Sequence, residues 1–94
     1  MNPERTSMFY YTYILQSVKN KRLYTGFTSD LRKRFSQHNN GESTYTKGRG
    51  PFKLIYYEAC LNLKDAAQRE KHLKSGRGKR FIRERLKRFL VRTG

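Results

Sequence analysis

The sequence is short of three things, and each shortage closes off a class of protein. It has one cysteine, Cys60, so neither an intrachain disulfide framework nor a CxxC metal site can be built. That lone thiol reads as a small packed apolar group, and the chain accordingly reads as cytoplasmic, in a reducing compartment. No apolar run approaches the length of a membrane span, and the N-terminal stretch has no signal-peptide pattern. No lipidation motif or separate basic amphipathic anchor stands out either, so a membrane is not an expected partner. Acids are the third shortage: 7 Asp and Glu stand against 22 Lys and Arg, a formal net charge of +15. A field of that sign and size attracts polyanions. The 7 Tyr and 6 Phe are interleaved with the cations, a mixture suited to phosphate backbone and bases together. Nucleic acid is the expected partner, DNA first and RNA second.

At 94 residues the chain is one domain near the small end of what folds alone. Residues 1–8 read as a polar leader, 9–90 as the domain and 91–94 as a tail. "MFYYTYILQS" (Met8–Ser17) is aromatic, β-branched and nearly uncharged, a strand covered on both faces and hence central. "VKNK" is a turn, and "RLYTGFT" (Arg22–Thr28) completes a hairpin. Gly26 inside that short strand marks either a bulge or a close approach. "TSD" (Thr28–Asp30) offers N-caps to a helix over "LRKRFSQH", with Leu31, Phe35 and His38 on one face. "NNGESTYTKGRGP" (Asn39–Pro51) is a polar, glycine-rich, mobile loop. "FKLIYYEAC" (Phe52–Cys60) is a third strand, "DAAQREKHLK" a second helix stopped by "SGRG", and "KRFIRERLKRFLVR" a third helix. The order ββαβαα gives an α+β domain, a small three-stranded antiparallel sheet flanked by three helices.

The second helix contains an oddity. At 100° per residue Leu63, Ala66, Ala67 and Leu73 form one apolar stripe. Glu70 falls on its midline, about 20° from Leu63. Burying a carboxylate unpaired is costly. Either a neighbouring Arg or Lys neutralises it, or it holds a ligand. One carboxylate plus waters suffices for Mg²⁺, which keeps much of its hydration and completes its shell with substrate phosphate.

Three further groups bear on chemistry. Arg34 sits on the shoulder of the first helix's apolar face, either solvated beside Arg32 and Lys33 or reaching a phosphate with its forked guanidinium. His38 is either packed and hydrogen-bonded or an acid, base or phosphate contact. Most of the tyrosines read as sheet residues, but Tyr13 and Tyr24 share a face if the hairpin loop is even. A phenol among cations is expected to lose its proton more easily, which would fit it for a general base.

"YTY" (Tyr11–Tyr13), "YTG" (Tyr24–Gly26), "DLRKRFSQHN" (Asp30–Asn39) and the helical "REKHLK" with Glu70 together resemble the GIY-YIG nuclease superfamily, most closely its small stand-alone members. The resemblance spans about Phe9 to Leu90. Tyr11 and Thr12 stand where the first motif has glycine and isoleucine, and "SGRGKRFIRERL" has no asparagine where many active members place one. What the resemblance implies is a metal-dependent endonuclease using one Mg²⁺ or Mn²⁺, acting on DNA, structured or branched DNA in repair or recombination included. It implies that Tyr13 and Tyr24 are the motif tyrosines, the latter orienting or deprotonating water. Gly26 is the closing glycine, Arg34 the scissile-phosphate ligand, His38 its neighbour and Glu70 the metal ligand.

Arg32, Lys33, Lys47, Arg49, Lys74, Arg77 and Lys79 are expected to grip backbone phosphates without sequence preference. In so small a chain, targeting is expected from the loop, the last helix, a homodimer or a protein partner. The competing reading is a non-catalytic nucleic-acid-binding module on the same fold. A small RNA- or ribosome-associated protein would account for the charge but not for Glu70.

Overall fold

The computed structural model describes residues 8–93, and the leader expected at 1–8 lies, apart from its last residue, outside them. Among the described residues the elements run β1 (Tyr10–Ser17), β2 (Leu23–Thr28), α1 (Leu31–Asn39), β3 (Phe52–Cys60), α2 (Leu63–Lys74), α3 (Gly76–Arg85) and α4 (Lys87–Thr93). The sheet is antiparallel in the order β2-β1-β3. The expected α+β sheet with flanking helices is what forms.

β1 carries no charged residue and lies in the centre of the sheet, with Thr12 through Ser17 all buried. Its alternating side chains feed two separate cores, as the two-residue period of a strand requires. Tyr13 and Leu15 meet Tyr24 and Phe52 under α1, with Leu31 and Phe35 packed against them. Ile14 meets Leu73 of α2 and Ile82 of α3 on the opposite face. Thr12, on that same side, donates its hydroxyl to the Ala66 carbonyl at 3.0 Å and pins α2 to the sheet. Fully burying each such aliphatic side chain contributes about 1.5–3 kcal/mol.

Capping sets the helix starts. The Asp30 carboxylate accepts from Lys33 N–H, and the Asn62 side chain accepts from the N–H groups of Lys64 and Asp65, which satisfies amide donors that a helix start leaves without intrahelical partners. The C-terminal half departs from the sequence reading. The "SGRG" stretch does stop α2, yet it also starts α3. Ser75 accepts from Gly78 N–H through its hydroxyl while its own N–H returns to the His72 carbonyl. α3 therefore begins earlier than Lys79, and the single last helix becomes two, divided at Leu86. Helicity continues to Thr93, into the stretch read as a tail. Gly78 is required where it stands: a Cβ there would lie 2.0 Å from the His72 carbonyl oxygen and 2.4 Å from the Leu73 Cα. The α2 and α3 backbones touch at this point.

An ion pair unforeseen in the sequence ties β3 to these helices. Arg69 of α2 bonds Glu58 of β3 through both carboxylate oxygens, Nε to Oε1 and Nη2 to Oε2, each at 2.8 Å. Tyr56 donates its hydroxyl to the same carboxylate at 2.8 Å, and the Arg69 guanidinium lies 5.0 Å over the Phe81 ring. Burial alone would raise the Glu58 pKa, but the hydrogen bonds from Arg69 and Tyr56 outweigh it and hold it below the ordinary value.

Candidate active site

Tyr13 and Tyr24 do share a face. The hairpin closes on the Ser17–Arg22 backbone pair, which leaves an even loop, and Tyr13 stands opposite Gly26 while Leu15 stands opposite Tyr24. The Tyr13 ring leans across β2 over Gly26. A Cβ on Gly26 would lie 2.4 Å from the Tyr13 Oη and 2.6 Å from its Cζ. Gly26 has no positive φ; it is glycine for space, the close approach that a strand glycine signals. The phenol is thereby carried to the open edge of the sheet.

Around that phenol the parts assemble. His38, 6 % exposed on α1, places Nε2 2.8 Å from the Tyr13 Oη. Its other nitrogen, Nδ1, is 2.7 Å from the Thr46 hydroxyl. Arg34, one turn earlier on α1, donates to the Gln37 side chain at 3.2 Å and approaches the Ser43 hydroxyl at 3.5 Å. Its guanidinium also acts on the Tyr13 phenol, pulling the phenol's pKa down. Glu70 arrives from α2, on the other side of the sheet, and its charge too reaches Tyr13.

Tyr13, Gly26, Arg34, His38 and Glu70 all line one cavity of about 970 Å³ that wraps the β2 edge. The convergence is thus around a strand edge, with Arg34 and His38 from one face and Glu70 from the other, rather than on the floor of a single face. Tyr24 sits one pair further along, 8 % exposed and set edge-on against Tyr45 and Phe52. Tyr45, not Tyr24, lines the cavity at that point.

The expectation that nearby cations free the phenol's proton does not hold at Tyr13. Burial raises its pKa above the ordinary 10.0, and Arg34, which pulls the other way, does not overcome it. His38 moves the complementary way: burial first, then the Arg34 charge, holds its pKa below the ordinary 6.5, so the ring is neutral near neutral pH.

Glu70 is partly buried, its side chain 19 % exposed, and pairs with Lys74 one turn on at 3.3 Å. The neutralising reading of the oddity is therefore realised, and the neutralising lysine lines the same cavity as Glu70. The stripe is imperfect elsewhere: Ala66 and Leu73 are buried, whereas Leu63 at the first turn is 48 % exposed. Of the expected phosphate contacts, Lys74 and Lys79 line the cavity. Arg32, Lys33, Lys47 and Arg77 are exposed elsewhere, and exposed Arg49 turns back to donate to the Tyr45 carbonyl.

Sequence reasoning missed Lys21 and Arg22 of the hairpin and Arg83 of α3, which complete the cationic rim, because in so basic a chain no single cation stands out. It missed Thr46 and Ser43 as well. Both are buried in a loop expected to be mobile, and the loop is instead fixed by these side chains and by Ser17 donating to the Arg49 carbonyl at 2.7 Å.

Residues 9–85 match the GIY-YIG catalytic domain. The chain belongs to the GIY-YIG family. A UPF0213 protein of Clostridium perfringens is 49 % identical over 65 residues, covering 68 % of this chain and 69 % of that one. One from Oceanobacillus iheyensis is 39 % identical over 66 residues, covering 69 % and 76 %. The solution NMR structure of a UPF0213 protein from Bacillus halodurans superimposes with a TM-score of 0.50 at 37 % identity, covering 80 % of this chain and 82 % of that one. This GIY-YIG domain is of the nuclease type, its substrate class is nucleic acid, and among its described residues no helix is long and apolar enough to cross a membrane.

Proposed function

We propose that this chain is an endonuclease that hydrolyses phosphodiester bonds in DNA with the help of one Mg²⁺ or Mn²⁺ ion, on structured or branched DNA of the kind met in repair or recombination. The observation that supports it is the meeting of Tyr13, Arg34, His38 and Glu70, from three separate elements, in one cavity rimmed by Lys21, Arg22, Lys74, Lys79 and Arg83.

The donor chemistry fits a lightly held hard cation. Among the described residues no group of three His, Cys, Asp or Glu could cage an ion, and Glu70 offers one partly buried carboxylate whose partner, Lys74, is a half-exposed side chain able to swing away. Mg²⁺ and Mn²⁺ accept such sites, with water and substrate phosphate supplying the remaining oxygens. When bound at Glu70, the ion would supply charge stabilisation for the phosphoryl oxygens and the leaving group.

The chain's own residues do the rest. Arg34 binds the scissile phosphate with its fork and stabilises the charge that builds on it. Tyr13 orients the attacking water through its hydroxyl, with Tyr24 behind it. His38, neutral, holds that phenol in place from Nε2. The rim cations bind the flanking phosphates, an interaction that gives affinity and salt dependence rather than sequence choice.

The test is a nicking assay on plasmid, flap, junction and single-stranded DNA, with Mg²⁺, Mn²⁺ and chelator. Glu70→Ala should bind DNA as well as the parent or better, having lost a negative charge, and should not cut. Undiminished cutting by that variant would remove Glu70 from the reaction. The Glu70–Lys74 pair also favours a second reading, a binding module whose acid is simply neutralised. Tight binding with no cleavage of any substrate under any metal would establish it.

A further inference from the structure

Thr46 lies in the loop between α1 and β3, where the sequence shows no motif, and it is 1 % exposed. Its hydroxyl sits 2.7 Å from His38 Nδ1, and the opposite ring nitrogen, Nε2, sits 2.8 Å from the Tyr13 Oη. A neutral imidazole has one donor nitrogen and one acceptor nitrogen. Two proton arrangements satisfy these bonds. In the first, Thr46 donates to Nδ1 and Nε2–H donates to Tyr13. In the second, Tyr13 donates to Nε2, Nδ1–H donates to Thr46, and the Thr46 proton must find another acceptor.

The surroundings separate the two. Among the described residues the Thr46 hydroxyl bonds His38 and nothing else, and it is shut away from water. A buried donor with no acceptor costs free energy; Tyr13, although itself only 3 % exposed, lines the cavity, and Thr46 does not. We propose that Thr46 is a positioning residue: its hydroxyl donates to His38 Nδ1, fixes the ring as the Nε2–H tautomer, and so directs a donor at the Tyr13 oxygen and the Tyr13 proton into the cavity.

The consequence for catalysis, unlike the tautomer itself, rests on the nuclease reading above. Nε2–H and the Arg34 guanidinium then act on the same phenol oxygen, which leaves the phenol's own O–H as the group it offers to a water or phosphate oxygen in the cavity. In the opposite tautomer an imidazole lone pair would face the phenol oxygen instead. Second-sphere groups fix histidine orientation in this way at metal sites as well.

The experiment uses the full chain carrying His72→Gln, which leaves His38 as the remaining histidine, and reads the ring ¹⁵N resonances. The parent should show protonated Nε2 and unprotonated Nδ1. Thr46→Val, of the same shape without the hydroxyl, should shift the ring toward the Nδ1–H form and lower kcat about tenfold to a hundredfold with KM little changed, while Thr46→Ser restores both. A parent ring protonated at Nδ1 overturns the assignment whether or not the protein cuts DNA. So does a Thr46→Val chain that keeps the Nε2–H form and the full rate. A parent that shows the Nε2–H form, loses it in Thr46→Val and cuts nothing sinks the nuclease reading and supports the tautomer. Should Thr46→Val fail to fold, the parent resonances alone still decide the tautomer, and the Thr46→Ser rate decides its use.

Discussion

Gly26→Ala puts the geometry of the site to its most direct test, because the two outcomes differ in sign. At a position with no positive φ, replacing glycine by alanine where there is room should stabilise the fold by about 0.4–1 kcal/mol, through the unfolded chain's lost freedom. Here there is no room. The new Cβ would meet the Tyr13 Oη at 2.4 Å and its Cζ at 2.6 Å, and the ring is held by its bond to His38 at 2.8 Å. Forcing a methyl into a packed contact costs about 1–3 kcal/mol. If the ring yields, the buried His38 nitrogen loses its partner, at about 1–3 kcal/mol more.

The net expectation is a loss of about 2–4 kcal/mol, a fall in Tm of roughly 10 °C or more for a domain this size. Thermal unfolding followed by circular dichroism reads it, with urea titration as the second measure. Cleavage should fall with it, since the phenol leaves the cavity edge. In a Tyr13→Leu background the Gly26→Ala penalty should shrink to under ~1 kcal/mol, a coupling expected only of residues in contact. A Gly26→Ala protein that melts at or above the parent temperature would refute the placement of the Tyr13 ring over β2.

Two other outcomes follow from the same structure. His38 has a folded-state pKa below 6.5, so its contribution to stability is complete above that value and is lost as pH falls beneath it, the unfolded chain taking the proton first. Urea midpoints measured downward from pH 7 should show this loss in the parent and in His72→Gln but not in His38→Gln; a further loss below 4.5 belongs to Glu58. Gly78→Ala should destabilise by ~3 kcal/mol or more, since the new methyl meets backbone atoms of His72 and Leu73 rather than a movable side chain, and a urea midpoint within error of the parent would remove the α2–α3 contact.

How much of this was legible beforehand divides along a physical line. Strand β1 announced itself, because eight residues with almost no charge can only be covered on both sides. β3 was readable over its full length, Phe52–Cys60, and the face of Leu31, Phe35 and His38 followed from helical spacing and packs as spacing requires. Glu70 was conspicuous for the same reason: a pattern with one member of the wrong chemistry exposes that member. The charge balance named the class of partner. These are all properties carried by runs of neighbouring residues, where period and composition are enough.

What only the tertiary structure decided are the contacts between segments far apart in the chain. That Gly26 is small for the sake of Tyr13, that Gly78 lets two helix backbones touch, and that the acid approaches from the opposite side of the sheet to the arginine are facts of packing. No local period encodes them. The Tyr13 phenol keeps its proton although the Arg34 guanidinium acts on it, because burial, invisible in a list of charges, outweighs that cation. Thr46 reads as one more polar loop residue until the fold buries its hydroxyl against an imidazole. Local sequence fixes which groups a chain can offer; distance and desolvation, which only folding sets, decide which of them meet and in what protonation state.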